Sequence, residues 1–364
     1  MTAALRLAAI DLARRTDTRR RLPRLRWSQH WPTERLAAWQ QDRLAELLDF
    51  AGRHVPHYRE EFARLGCAAG ADPPARILAA LPVLTKDDVR AAPDRFRPDP
   101  AQRPRAMARR TGGSTGEPFR YLVSRDAFAA QWAALYRAWE WSGYTVGKPM
   151  VTLGGASLTR AGAGGFARRV YSFLRNDRPV AVGPLDAADL DRVAAEIHHA
   201  RAHLLYGYPS LIYRLAGHVL ERGGPFPRPR SVVTTSEMLF PGQRRLIERA
   251  CAAPVFDFYG CNEVNLIAGE CACHEGHHVA MESCLLEVAD EQGRALPAGT
   301  GGRLVATGLL NLAMVLIRYD TGDMGSLDPA ACACGSGLVR IRTLEGRSRD
   351  LLRTAAGGVV HGVE

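Results

Sequence analysis

Residues 111–118 read TGGSTGEP, and their composition points to phosphate chemistry. Gly112, Gly113 and Gly116, interleaved with Ser114 and Thr115, give a backbone that can bend through positive φ and turn several N–H groups toward one point. Such a concavity holds phosphate oxygens. The Walker A loop is excluded, because no Lys-Ser/Thr pair follows the last glycine and the apolar run Phe119 to Val123 has β rather than helical character. By itself the segment also fits an ordinary Gly/Ser/Thr turn between strands. Four later clusters supply charge. TTSE (Thr234 to Glu237) and YGCNE (Tyr259 to Glu263) each follow an apolar run, while RYDTGD (Arg318 to Asp323) and EGRSRD (Glu345 to Asp350) put carboxylates and guanidinium groups beside glycines. A separate signal is metal-like: Cys271, Cys273, His274, His277 and His278 crowd together, and Cys332 and Cys334 form a second C-x-C knuckle. Tetrahedral zinc takes four N/S ligands, commonly from two such knuckles, so more candidates are present than places.

Positioning these groups requires strands whose ends converge, and the pattern supplies them. Apolar residues at helical spacing from Trp39 to Leu65, interrupted at Pro56, predict two helices joined at HVPHY, with His54 and His57 as packing or capping residues. LPVLTKDDV (Leu81 to Val89) predicts a loop feeding a short helix capped by Thr85, with Asp87 and Asp88 in its first turn. Arg125 to Trp141 predicts a long amphipathic helix with Phe128, Trp132, Tyr136 and Trp139 in the core. Strands are expected at Pro149 to Leu153, Leu204 to Pro209, Ser231 to Thr235 and Val255 to Tyr259. They alternate with helices at Ala187 to Ala202, Leu211 to Glu221 (capped by Ser210) and Pro241 to Cys251. That rhythm argues for an α/β architecture with parallel pairing, in which ligands bind beyond the carboxyl ends of the strands. Beyond Gly260 the pattern changes to short strands at Ser283 to Ala289, Gly302 to Gly308 and Val315 to Tyr319, a smaller β-rich subdomain.

The chain of 364 residues, 46% hydrophobic, is long enough for two domains or one large multi-sheet unit. Of the net charge of +10, the first 26 residues contribute eight arginines against two acidic residues. A basic arm can bind nucleic acid or a membrane surface, but no aromatic-interleaved stripe accompanies it, which argues against nucleic acid. Ala3 to Ile10 is too short and too arginine-flanked for a signal peptide, and no stretch approaches the ~20 apolar residues of a spanning helix. A soluble, cytoplasmic protein with no membrane partner is expected. Eight cysteines are too few for a disulfide scaffold in a chain this long, so their clustering points to metal.

Taken in order, HVPHYREEF, LPVLTKDDVR, TGGSTGEP, GYPS, TTSEML, YGCNEV, GEC, LIRYDTGD and GRSRD resemble the motif series of the adenylate-forming enzymes. More narrowly, the chain is similar to the phenylacetate coenzyme A ligase family and its CapK-like relatives, from about Trp39 to its last residue. The resemblance implies the large N-terminal domain of an adenylate-forming enzyme, an α/β fold of mixed sheets flanked by helices plus a small β-rich subdomain bearing zinc. It divides the chain into a basic arm (1–38), a nucleotide- and substrate-binding core (39–260), the β-rich subdomain (261–346) and a hinge motif (347–364). It further implies that Gly113, Ser114, Thr115 and Gly116 hold the β- and γ-phosphates of ATP. Thr235, Ser236, Glu237 and Tyr259 line the adenine, Glu263 binds Mg2+, Asp323 takes the ribose hydroxyls, and Arg347 contacts ribose or phosphate. In related proteins a Cys, a His six positions on and a C-x-C pair bind structural zinc, which here selects Cys271, His277, Cys332 and Cys334 and leaves Cys273, His274 and His278 in reserve. The implied activity joins a carboxylic acid, aryl or otherwise compact, to ATP as an acyl-adenylate with release of pyrophosphate. Coenzyme A, a carrier protein or an amine then accepts the acyl group, and a homodimer is left open.

Three departures stand against the family pattern. Glu117 occupies a position where related ligases often have lysine, so phosphate binding would lean on other cations. Arg349 stands where the family usually has an aspartate hinge. The chain stops at Glu364, inside what looks like the last motif, ahead of the small mobile C-terminal domain the family carries, so a shortened chain with weak or no turnover is expected. Other readings of the same residues are nucleotidyl transfer to a hydroxyl acceptor, as in coenzyme F390 synthetase-like proteins, a non-catalytic nucleotide-binding scaffold, and a zinc-bearing nucleic-acid-binding module.

Overall fold

Apolar periodicity sets the elements of this computed structural model, which describes residues 2–111, 119–154, 165–181, 185–223, 228–347, 351–353 and 359–361. In chain order the helices are α1 (Ala3–Arg14), α2 (Thr18–Ser28), α3 (Thr33–His54), α4 (Pro56–Leu65), α5 (Pro74–Ala80), α6 (Lys86–Ala91), α7 (Arg125–Trp141), α8 (Phe166–Arg175), α9 (Ala187–Ala200), α10 (Pro209–Arg222) and α11 (Pro241–Cys251). The strands are β1 (Ala106–Arg110), β2 (Arg120–Ser124), β3 (Met150–Gly154), β4 (Asp177–Ala181), β5 (Leu204–Gly207), β6 (Ser231–Thr235), β7 (Val255–Cys261), β8 (Leu266–Glu270), β9 (His277–Val279), β10 (Cys284–Ala289), β11 (Gly302–Gly308), β12 (Tyr319–Asp328), β13 (Arg340–Arg347), β14 (Leu351–Arg353) and β15 (Val359–His361). The protein is therefore α/β, with mixed parallel and antiparallel pairing, and it divides into two compact units.

One unit is built on Leu135–Gly260 together with Met1–Leu22. Its strands run parallel in the order β4-β3-β5-β6-β7. Parallel strands are covered on both faces and so read as apolar runs. Val151, Leu153, Leu205, Val232 and Val255 form one buried cluster with Val193 and Ile197 of α9, Ile212 and Leu215 of α10 and Ile247 of α11. Gly207 sits where β5 passes β3 so closely that a Cβ would come within 2.2 Å of the Leu153 carbonyl oxygen, which no side chain tolerates. The arginine-rich amino terminus is helical: Ile10 of α1 is fully buried, and Arg6 donates to the carbonyls of Phe173 and Leu174 at 2.6 and 3.1 Å.

α10 departs from its expected start. It begins at Pro209, not Leu211, because a proline lacks the N–H that the first turn leaves unbonded anyway. Ser210 is thus not its cap, and the Ser210 N–H donates instead to Glu237 Oε2 at 3.2 Å.

The other unit is built on Pro23–Ala134, Cys261–Ala268 and Glu275–Glu364. β1 and β2 form an antiparallel hairpin, and β10-β11-β12-β13-β9 pair antiparallel in that order. Thr85 caps α6 in a full capping box with Asp88, as the sequence suggested. The strand expected at Val315 to Tyr319 is not formed. The Val315 N–H bonds to the Phe96 carbonyl at 2.9 Å, and the buried Tyr58 hydroxyl accepts from the Ile317 N–H at 2.8 Å and donates to the Val315 carbonyl at 3.2 Å. Those bonds satisfy the polar backbone outside any ladder. The strand starts at Tyr319 and runs on to Asp328, so RYDTGD lies at a strand entrance, not in a turn after one. Among the described residues no helix is long and apolar enough to cross a membrane.

Candidate functional site

The glycine-loop residues Gly113, Ser114, Thr115 and Gly116 lie outside the described residues, but both ends of the loop are placed. The β1–β2 hairpin brackets it, and the Thr111 N–H donates to the Phe119 carbonyl at 3.0 Å. Phe119, at the loop's exit, is buried with its ring stacked at 6.1 Å on Tyr121 and at 6.5 Å on Tyr319. The Lys86 ammonium lies 5.6 Å from the centre of the same ring and 3.8 Å from Glu263 Oε1. Phe119 at the loop's exit, Glu263 and the start of β12 therefore meet around one buried aromatic cluster, with the Lys86 ammonium beside it.

Electrostatics draw the remaining carboxylate into this group. Glu263 is 5% exposed and follows β7 in a short 3-10 turn. The Cys261 thiol donates to Glu263 Oε2 at 3.4 Å. Burial pushes that thiol well up from its ordinary range, and the negative charges of Glu263 and Asp323 add to the rise, so both carboxylates act on one point. The phenols of Tyr121 and Tyr319 are raised for the same reasons, burial first and the Glu263 charge second. Asp323 is in turn the register partner of Arg347 in the β12–β13 ladder. A cluster of carboxylates of this kind attracts cations.

Residues 235–237 and 259 occupy the carboxyl ends of two neighbouring parallel strands in the other unit. β6 and β7 pair with Thr235 opposite Phe258, which places Thr235 and Tyr259 at the same sheet end. Ser236 adopts φ of 70°, a left-handed conformation that ends the strand sharply. The Tyr206 phenol, buried and pushed up to about 12 chiefly by desolvation, is bonded to the Thr235 side chain. Strand ends of open parallel sheets are where ligands bind. By contrast, a cleft of 840 Å³ lined by Arg169, Phe173 and Arg178 lies at the amino-terminal ends of β3 and β4, away from these residues.

The metal-like cysteines do come together. The ligand atoms of Cys271, His278, Cys332 and Cys334 all lie within 4.8 Å of one another, with Cys334 Sγ 3.4 Å from His278 Nε2. Three thiols and an imidazole at such spacing fit tetrahedral zinc, whose ligands sit about 3.3–3.8 Å apart when bonds are about 2.0–2.3 Å. The histidine of the group is His278, one of the reserves, in place of His277. Successive side chains of a strand point to opposite faces, so in β9 only one of the adjacent pair can turn toward the cysteines. His274 is committed elsewhere, to Glu270 at 3.0 Å. Cys273 is not part of the group.

Lys86 was not singled out by sequence reasoning, although one signal was present. A lysine at the first position of a helix opposes the helix dipole, and local rules are broken most often at functional sites. Tyr121, Tyr319 and Cys261 also reached the site unannounced, since each reads as an ordinary strand residue until the strands are paired.

No protein-family model matches the chain. Among curated proteins it is 28% identical over 337 residues to phenylacetate-coenzyme A ligase of Thermus thermophilus, which covers 88% of this chain and 72% of that one. It is 26% identical over 332 residues to the enzyme of the same name from Aromatoleum evansii, with the same coverage, and 26% over 323 residues to that of Pseudomonas putida. Among solved structures, 2-hydroxyisobutyryl-CoA ligase in its postadenylation state superposes with a TM-score of 0.72 at 21% identity, over 92% of this chain and 72% of that one. The same enzyme in its thioesterification state gives 0.70 at 23% identity, over 94% and 73%. At such identity the structures speak for the fold alone. By sequence the chain is similar to phenylacetate-coenzyme A ligases, and its fold is that of 2-hydroxyisobutyryl-CoA ligase.

Proposed function

We propose that this chain carries the adenylation site of an ATP-dependent ligase that activates a carboxylic acid, aryl or otherwise compact, and passes the acyl group to coenzyme A. The observation that carries the reading is the meeting of Lys86 and Glu263 beside Phe119, at the exit of the glycine loop. In the first half-reaction an oxygen of the acid's carboxylate attacks the α-phosphorus of ATP, the bond to the bridging oxygen breaks, and pyrophosphate leaves with the electron pair. Lys86 and the loop's N–H and hydroxyl groups hold the β- and γ-phosphates, and the lysine supplies the cation that Glu117 does not. Asp323 accepts hydrogen bonds from the ribose hydroxyls, Arg347 stands beside them, and Thr235, Ser236, Glu237 and Tyr259 line the adenine. Glu263, a buried single carboxylate, suits Mg2+, which takes one or two protein carboxylates plus phosphate oxygens and would offset phosphate charge there. In the second half-reaction a thiolate attacks the acyl carbon and AMP leaves. The names of the curated relatives support coenzyme A as that thiol. The Cys271, His278, Cys332 and Cys334 group fits structural zinc with no open position for substrate.

The test is acid-dependent exchange of labelled pyrophosphate into ATP by this chain across a panel of aryl and small acids. Weak exchange above the acid-free background is expected with at least one acid, and Glu263→Gln is expected to lower it by about 100-fold, the scale of losing one charge-stabilising group. Exchange that needs no acid, or a Glu263→Gln variant as active as the parent, would overturn the reading.

A further inference from the structure

Lys86 stands on a six-residue helix at the end of a loop, and a long flexible side chain on such a support needs outside restraint to stay near one partner. The restraint visible in the structure converges on Arg318. This residue is 2% exposed and held at φ of 54°, a left-handed conformation that a bulky side chain adopts only when its surroundings over-determine it. Its guanidinium donates to the Leu81 carbonyl and to the Gly293 carbonyl, each at 2.6 Å, and its Nε lies 3.4 Å from Glu287 Oε2. Its own backbone continues the seam. The Leu84 N–H donates to the Arg318 carbonyl at 2.8 Å, the Asp320 N–H donates to the Leu84 carbonyl at 2.9 Å, and the Arg318 N–H is taken by the Thr307 hydroxyl at 2.9 Å. Leu84 and Tyr319 thereby form a parallel bridge two residues before Lys86.

A fully buried arginine is rare unless it is paired, and a buried ion pair adds little to stability compared with apolar residues of the same volume. Its benefit lies in holding a geometry. Every bond of this one runs to the segment that delivers Lys86, to the strand start that leads to Asp323, or to the neighbouring turn and strand. Burial raises the Glu287 carboxyl, with Arg318 opposing the rise, so the acid is kept at a cost as well.

We infer that Arg318 is a positioning residue that fixes the Leu81–Leu84 segment to the start of β12 and so aims Lys86 at the polyphosphate. This deepens the adenylation reading and rests on it. The test compares binding of MgATP and of AMP by calorimetry for the parent, Arg318→Lys, Lys86→Met and the double variant. Lysine keeps the positive charge beside Glu287 but lacks the planar fork whose two separate nitrogens reach the Leu81 and Gly293 carbonyls. Arg318→Lys is expected to weaken MgATP about tenfold while AMP changes less than about twofold, and to have no further effect on MgATP once Lys86 is methionine, a coupling of about 1.4 kcal/mol. A merely structural role would give the same loss in both backgrounds, or equal losses for ATP and AMP, and either result overturns the inference. Where Arg318→Lys does not accumulate as folded protein, Glu287→Gln takes its place with the same signs and about a threefold effect on MgATP. If neither MgATP affinity nor its dependence on Lys86 is detectable in the parent, it is the adenylation reading that fails. If Lys86→Met weakens MgATP while Arg318→Lys and Glu287→Gln do not, only the positioning role of Arg318 fails.

Discussion

Replacing Lys86 with methionine removes one charge from the candidate phosphate site while keeping the side chain's length and apolar stem. The ammonium lies 3.8 Å from Glu263 Oε1 with the lysine side chain 40% exposed, so it is neither in bulk water nor in a dry interior. Two unit charges about 4 Å apart interact by about 1 kcal/mol in water and about 4 kcal/mol at the effective dielectric of a protein surface. A phosphate oxygen held at a comparable distance is therefore stabilised by about 1.5–2.5 kcal/mol, which corresponds to about 10- to 60-fold in affinity. The folded state should hardly notice, because a half-exposed ion pair contributes about 0–1 kcal/mol. Calorimetric titration at low ionic strength is the assay, with MgATP and AMP as paired ligands. The expected outcome is a loss of more than about tenfold for MgATP, a change under about twofold for AMP, and an unaltered far-ultraviolet spectrum. Equal losses for the two nucleotides, or an unchanged MgATP affinity in a folded variant, would refute the assignment of Lys86 to the β- and γ-phosphates.

Two further outcomes follow from the structure. Purified chain should hold about one equivalent of zinc, and His278→Asn or the pair Cys332→Ser and Cys334→Ser should abolish it, whereas His277→Asn should not; zinc retained by His278→Asn and lost by His277→Asn would point to His277 as the ligand, and zinc retained without the two cysteines would refute the site. His57 packs its ring 4.5 Å from Phe96, and burial, aided by Arg95 and opposed by Glu60, Glu61 and Asp88, lowers its pKa from 6.5. A depressed histidine favours the folded state above its unfolded pKa, and that contribution is lost as pH falls below 6.5 toward the lowered value. Urea midpoints measured from pH 7.5 down to 5 should therefore fall less steeply in His57→Phe than in the parent, and parallel curves would show that His57 does not titrate in the fold.

Much of this protein is legible without coordinates, for reasons that differ by region. α7 and α11 and the strands β6 and β11 fall where periodicity, capping residues and β-branched runs put them, because their local preferences agree with the packing that buries them. The candidate motifs are legible as types: glycines and hydroxyls in one loop, carboxylates at strand ends. Local preference misleads where a tertiary bond outcompetes it. The apolar run at Val315 reads as a strand, yet its polar backbone atoms are taken by Tyr58 and Phe96, residues more than 200 positions away in the chain.

What the sequence alone determines here is chemistry by kind, because residue type and spacing state which groups are available and which helices and strands carry them. What only the tertiary structure decides is which of several equivalent candidates is used. Two adjacent histidines are indistinguishable in a string of letters, but a strand turns only one of them toward the cysteines. A lysine after a capping threonine looks like a solvated charge until a buried arginine, far along the chain, ties its loop to the strand that carries Asp323. Long-range hydrogen bonds made in the folded state leave no local mark, and that is why the supports of the site, more than its reactive groups, became visible only in three dimensions.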